Sequence, residues 1–225
     1  MDLDRWVEGF YEEALPAKQA AVASVYQWLV SANPKETVPV LLQHDALLSA
    51  AGRLLMEDAK KSMSLASTLL TLFEALALFR ETHATLNGLK VGDLCIKLIE
   101  HEQKRYELLA SEARSDTPSS PPSSALSHAQ TQTSAQQRKK MLQKMDQVLK
   151  PAFSILSAFA EASTTTEIKM INRGFLSLIR FALSLPALSA DTYGTLLPCL
   201  TRCTAYKEAI VILRQVPILL LCFFF

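Results

Sequence analysis

The stretch SMSLASTLLTLFEALALFRETHATLNGLKVGDLCIKLIEHE, residues 62–102, decides how the chain is built. Its first eighteen residues repeat apolar side chains at the 3.6-residue period of a long amphipathic helix. RETHATLNGL then forms a short connector, and KVGDLCIKLIEHE reads as a medium helix rich in Leu and Ile. The same long, short, medium order precedes it. PAKQAAVASVYQWLVSA places Val22, Val25, Tyr26 and Leu29 on one face; NPKETVPVLLQH gives a turn and a short helix; DALLSAAGRLLMED gives another helix with Asp45 as its expected N-cap. A third round follows as KMDQVLKPAFSILSAFAEA, STTTEIKMINRG and FLSLIRFALSL, and a fourth as SADTYGTLLPCLTRCTA, YKEAIVILRQ and VPILLLCFFF. Ser31 and Glu74 hold equivalent places 43 residues apart, within the ~40–47 of armadillo and HEAT units. The expected fold is therefore all-α: an armadillo-like, right-handed helical solenoid of about four repeats, the last incomplete, with a disordered insertion.

Composition agrees. Hydrophobic residues make up 49% of the 225, ample for a core, and only 6 are glycine, which leaves little for tight hairpins. A net charge of +1 gives no long-range field for nucleic acid, so nucleic acid is not expected as a partner. Asp2 and Asp4 stand where a secretory signal needs positive charge, which points to a cytoplasmic start. Cys95, Cys199, Cys203 and Cys222 form no paired framework or zinc motif and are expected to be buried thiols. The apolar Ala209–Phe225 tail is interrupted by Arg214, Gln215 and Pro217. It falls short of the ~20 residues a spanning helix needs, so a core helix is favoured over a membrane anchor.

Glu161 lies 87 residues beyond Glu74, one period plus an excess. The excess is accounted for by an overgrown charged helix and a Ser, Pro and Gln-rich linker, giving expected boundaries of 1–113 for the first repeats, 114–137 for a disordered linker and 138–225 for the rest. Thr117-Pro118 and Ser120-Pro121 in that linker are candidate sites for a proline-directed kinase. Within LCIKLIEHEQKRYELLASEA, Glu100, His101 and Glu102 are adjacent, so on a helix they diverge by about 100° and do not converge on one metal. The stretch reads as a solvated extension, with Lys104 and Arg105 as a handle for a partner. His44, His83, His101 and His128 fall in connectors, extension and linker, and no GxSxG, P-loop or dinucleotide fingerprint occurs. No catalytic residue, metal or cofactor is expected.

A solenoid instead presents one helix per unit to a partner. On the three long helices, Ser24, Gln27 and Ser31, then Ser67, Thr71 and Glu74, then Ser154, Ser157 and Glu161 keep to one face each. These trios are either ordinary solvated sides or a shallow binding strip.

Residues 33–62 and 89–113, above all KVGDLCIKLIEHEQKRYEL, resemble the armadillo region of kinesin-associated protein, the non-motor subunit of heterotrimeric kinesin-II. MDLDRWVEGFYEE resembles the segment that leads into that family's repeats, and Glu167–Met170, EIKM, recurs in its next repeat. The resemblance implies a non-enzymatic adaptor that joins kinesin-II heavy chains to cargo adaptor proteins in cilia and flagella. The family's members are much longer, so the chain is expected to be a fragment or a divergent short paralogue. Armadillo proteins that hold extended peptides carry an Asn ladder. Here the corresponding places hold Leu29 and Ala158 or Phe159, so that mode of peptide binding is not expected.

Overall fold

The computed structural model describes residues 3–115, 126–186 and 188–215, with side chains left undescribed at 112–115, 126–135, 137, 138, 213 and 215. Among the described residues there is no strand. Twelve α-helices follow one another: α1 (Leu3–Tyr11), α2 (Leu15–Ser31), α3 (Pro34–Gln43), α4 (Asp45–Glu57), α5 (Met63–Ala77), α6 (His83–Gly88), α7 (Val91–Ser115), α8 (Leu126–Ala162), α9 (Thr164–Asn172), α10 (Phe175–Leu183), α11 (Ala190–Arg202) and α12 (Lys207–Gln215). The expected long, short, medium order is visible as the triplets α2–α3–α4, α5–α6–α7 and α8–α9–α10.

Local sequence sets the helix starts. The side chains of Asn33, Ser62, Ser163 and Ser189 accept the backbone N–H of Lys35, Leu65, Thr166 and Thr192, capping α3, α5, α9 and α11. Pro16 and Pro34 enter the first turns of α2 and α3, where a missing N–H costs nothing. Asp45 is not the cap of α4: His44 holds that position, and Asp45 sits inside the first turn, where its charge faces the helix dipole.

The triplets stack in two layers. The long helices pack in sequence, α2 on α5, α5 on α8 and α8 on α11, while α4 lies against α7 and α7 against α10. Helix α1 covers α2 and α4, burying Phe10 and setting Trp6 at 5.7 Å from Trp28. Val22, Val25 and Leu29 are buried on α2 as the period predicted, with Tyr26 half-buried. Phe73 of α5, Phe153 of α8 and Phe175 of α10 carry the apolar filling onward, each fully buried side chain stabilising by ~1.5–3 kcal/mol. At the α7–α8 seam the helices approach so closely that a Cβ on Gly92 would lie 3.3 Å from Phe159.

Polar bonds fix these seams. Pro151, inside α8, has no N–H to offer the carbonyl of Gln147, one turn earlier. The hydroxyl of Ser67 on α5 donates to that carbonyl at 3.1 Å. Asp146 of α8 accepts from the Thr192 hydroxyl at 2.7 Å and the Ser189 N–H at 3.2 Å, holding the start of α11. Asp93 pairs with Arg173 across the second and third triplets. Just after the first triplet, Lys18 of α2 and Lys61 each donate to the buried Asp58 carboxylate at 2.6 Å.

Two further expectations are corrected. Glu102, read as part of a solvated extension, is only 4% exposed; α8 and α10 both pack against α7, and one turn on Tyr106 meets Phe181. The core stripe Val91, Cys95, Leu98, Ile99 therefore runs one turn further than composition implies. And α8 begins at Leu126, so the backbone of residues 126–137 is helical where an unstructured linker was expected. Residues 116–125, with Thr117 and Ser120, lie outside the described residues.

Candidate protein-interaction surface

The nine strip residues lie on successive long helices, α2, α5 and α8, but their surroundings differ. On α2, Gln27 and Ser31 are exposed, and exposed Ser24 donates back to the Ala20 carbonyl of its own helix at 2.9 Å. On α5, Ser67 is half-buried and spent on the Gln147 carbonyl, Thr71 donates to Ser67, and Glu74 is half-buried. On α8, Ser154 and Ser157 are half-buried, Ser157 beside the Cys199 thiol, while exposed Glu161 pairs with Arg202 of α11 at 3.1 Å. Ser67, Ser157 and Glu161 thus serve the seams between neighbouring long helices, and Gln27 and Ser31 are the members most open to a partner.

Lys104 and Arg105 are both exposed on α7, beyond the turn where Glu102 is buried. Arg105 lies 3.8 Å from one Glu102 oxygen, which has no hydrogen bond, and His101 lies 3.3 Å from the other. The Asn-ladder positions are explained by packing: Leu29 and Phe159 are each 2% exposed, and Phe159 lies against Gly92 and His83.

Sequence reasoning missed a cleft of about 300 Å³ between the second and third triplets, lined by Arg80, His83, Asn87, Phe159, Ser163 and Thr166. The His83 Nε2 donates to the Ala77 carbonyl at 2.7 Å, and its ring meets Phe159 edge-on. The connectors RETH and STTT supply most of this lining, but only their juxtaposition in space makes a cleft of them.

Among the described residues no three His, Cys, Asp or Glu side chains are grouped to hold a metal ion. Cys95, Cys199 and Cys203 are buried free thiols, as expected, whereas Cys222 lies outside the described residues. Burial pushes the Cys95 thiol far up, and those of Cys199 and Cys203 up to about 11, so each is held as an unreactive thiol. No single helix among the described residues is long and apolar enough to cross a membrane; the apolar segment 216–225 lies outside them.

Comparison with known proteins decides the family. The sequence profile described as Kinesin-associated protein (KAP) matches residues 1–191. The chain belongs to the kinesin-associated protein family. The match spans the three triplets and ends as α11 begins. Membership in the KAP family makes the chain a kinesin-associated, non-motor subunit and sets it in the microtubule-related cytoplasm. Among solved structures, that of an engineered protein superimposes with a TM-score of 0.50 at 16% identity, covering 96% of this chain and 86% of that one. At such identity the likeness concerns the fold alone.

Proposed function

We propose that this KAP-family chain is a non-enzymatic adaptor that joins kinesin-II heavy chains to cargo adaptor proteins in ciliary and flagellar transport. The observation that carries the reading is the family match over 1–191, which coincides with a stack of helices whose long members share one layer. A stack of this kind offers extended surface, which suits a subunit that holds other proteins together. On this reading Gln27 and Ser31 on α2 contribute directly to partner contact. Ser24, Thr71, Glu74 and Ser154 line the same face, and Ser67, Ser157 and Glu161 act by holding the long helices in register. The armadillo-like, right-handed arrangement of about four repeats belongs to the same proposal.

The test is capture of the tagged chain from a ciliated-cell extract, followed by identification of co-recovered proteins. Recovery of two kinesin heavy chains together, reduced by Gln27→Arg with Ser31→Arg, supports the adaptor. Their reproducible absence, with other proteins bound through the same helices, identifies a general helical scaffold instead. Recovery with lipid vesicles that is lost on deleting residues 216–225 identifies a membrane-tethered one.

A further inference from the structure

Helices α7 and α8 continue past the stacked core as an arm of unusual charge. Gly92, near the start of α7, faces Phe159 and Leu156 near the end of α8, so the two helices run antiparallel. Equal rise along both sets residues 104–109 level with about residues 140–146. Tyr106 on α7 and Met141 on α8 are the outermost described side chains packed against the core cluster. Over the helical residues 103–115 and 126–144 the sequence carries seven basic side chains (Lys104, Arg105, Arg114, Arg138, Lys139, Lys140 and Lys144) against two acidic ones (Glu107 and Glu112). The whole chain, by contrast, is +1. The excess positive charge of the molecule is therefore concentrated here and largely offset by acidic residues elsewhere.

The described members of this group are available to a partner. Lys104, Lys139, Lys140 and Lys144 are exposed and have no ion pair among the described residues. Arg105 is held by Glu102 from below, with its side chain 44% exposed. Beside Lys104 and Arg105, Leu108 is 64% exposed and Leu109 37%, the only large apolar side chains among the described residues of the arm that are exposed to this degree. Cations flanking two open leucines match a ligand that combines carboxylates with apolar side chains. Charge complementarity would steer it to the arm, and the leucines would provide apolar area to hold it. A single-stranded nucleic acid would look for exposed aromatic rings to stack on. The described aromatic of the arm, Tyr106, is instead turned against Phe181.

We infer that the basic arm formed by α7 and α8 is a docking surface for an acidic, leucine-bearing polypeptide segment of a partner protein, with Lys104, Lys140 and Lys144 supplying the charge and Leu108 the apolar anchor. The inference concerns a different part of the molecule from the long-helix layer and stands whether or not the chain binds motor subunits.

The experiment uses the full chain and fluorescence anisotropy with a labelled synthetic peptide of glutamate and leucine at helical spacing. The same peptide with glutamine for glutamate, an oligouridylate and phosphatidylserine vesicles serve as comparison probes. The acidic peptide binds, its affinity falls several-fold between 50 and 300 mM salt, and the glutamine peptide binds at least about tenfold more weakly. The triple variant Lys104→Glu, Lys140→Glu, Lys144→Glu loses about tenfold or more, Leu108→Ser loses about fivefold, and Lys60→Glu, in the connector between the first and second triplets, changes nothing. All variants keep the parent melting temperature, because the substituted side chains are exposed. Unchanged binding in the triple variant, no binding of the acidic peptide, or tighter binding of the oligouridylate or the vesicles through the same lysines overturns the proposal.

Discussion

Ser67, Gln147 and Pro151 form a small circuit whose energetics can be measured. Replacing Ser67 with Ala removes a neutral hydrogen bond worth ~0.5–1.5 kcal/mol net. The carbonyl it serves is reachable by water, which places the loss in the lower half of that range. Alanine also favours a helix over serine by roughly 0.5 kcal/mol, so the single substitution nearly cancels and reveals little. The cycle with Pro151→Ala separates the two effects. Alanine at 151 restores an N–H that reclaims the Gln147 carbonyl within α8, leaving the Ser67 hydroxyl without its task. Ser67→Ala then exposes only the propensity gain, and the coupling between the two sites is about 0.5–1 kcal/mol. Urea unfolding of the four proteins, at matched denaturant slopes, measures it. A coupling within about 0.3 kcal/mol of zero, the ordinary error of additivity, would refute the claim that Ser67 compensates for the proline.

Three further outcomes follow from the packing. Hydrogen bonds from Lys18 and then Lys61 hold the Asp58 carboxyl below its usual range, with burial opposing them. A depressed carboxyl contributes stability that is complete above its unfolded pKa of about 3.9 and is lost as pH falls through the lower folded value. Urea melts from pH 6 to pH 2 should therefore show a shallower acid decline for Asp58→Asn, together with lower stability at pH 6. Glu102→Met should raise stability by about 1–3 kcal/mol in a thermal melt, because the buried carboxylate has one long hydrogen bond, to His101, and one oxygen with none. Asp146→Ala should speed amide exchange in α11 far more than in α2, since it removes the acceptor of both Ser189 and Thr192 while the first triplet touches neither.

How much of this could be read from the sequence depends on where the deciding neighbour lies. The stripe Val22, Val25, Leu29 was legible because helical period and burial are written in the same seventeen residues. The one cap expected from the sequence, Asp45, misses the observed His44 by a single residue. Glu102 was misread because its own surroundings in the chain are charged, whereas the helices packed against α7 in this part of the stack, α8 and α10, come later in the chain. The helical start at Leu126 was missed because Ser, Thr and Gln give no apolar period to detect. The strip residues were placed on the right helices, but whether each one faces a partner or a seam depends on how neighbouring helices sit side by side. Ser67 and Glu161 show this, since their partners Gln147 and Arg202 carry no local signal.

The principal contacts of this molecule run within a triplet or to the next one along, as when α5 meets α8 and α8 meets α11. Such a body behaves mechanically as springs joined end to end. A pull applied across the stack is shared by its seams, and small rotations at each add together along it. No single core has to open for the whole to stretch.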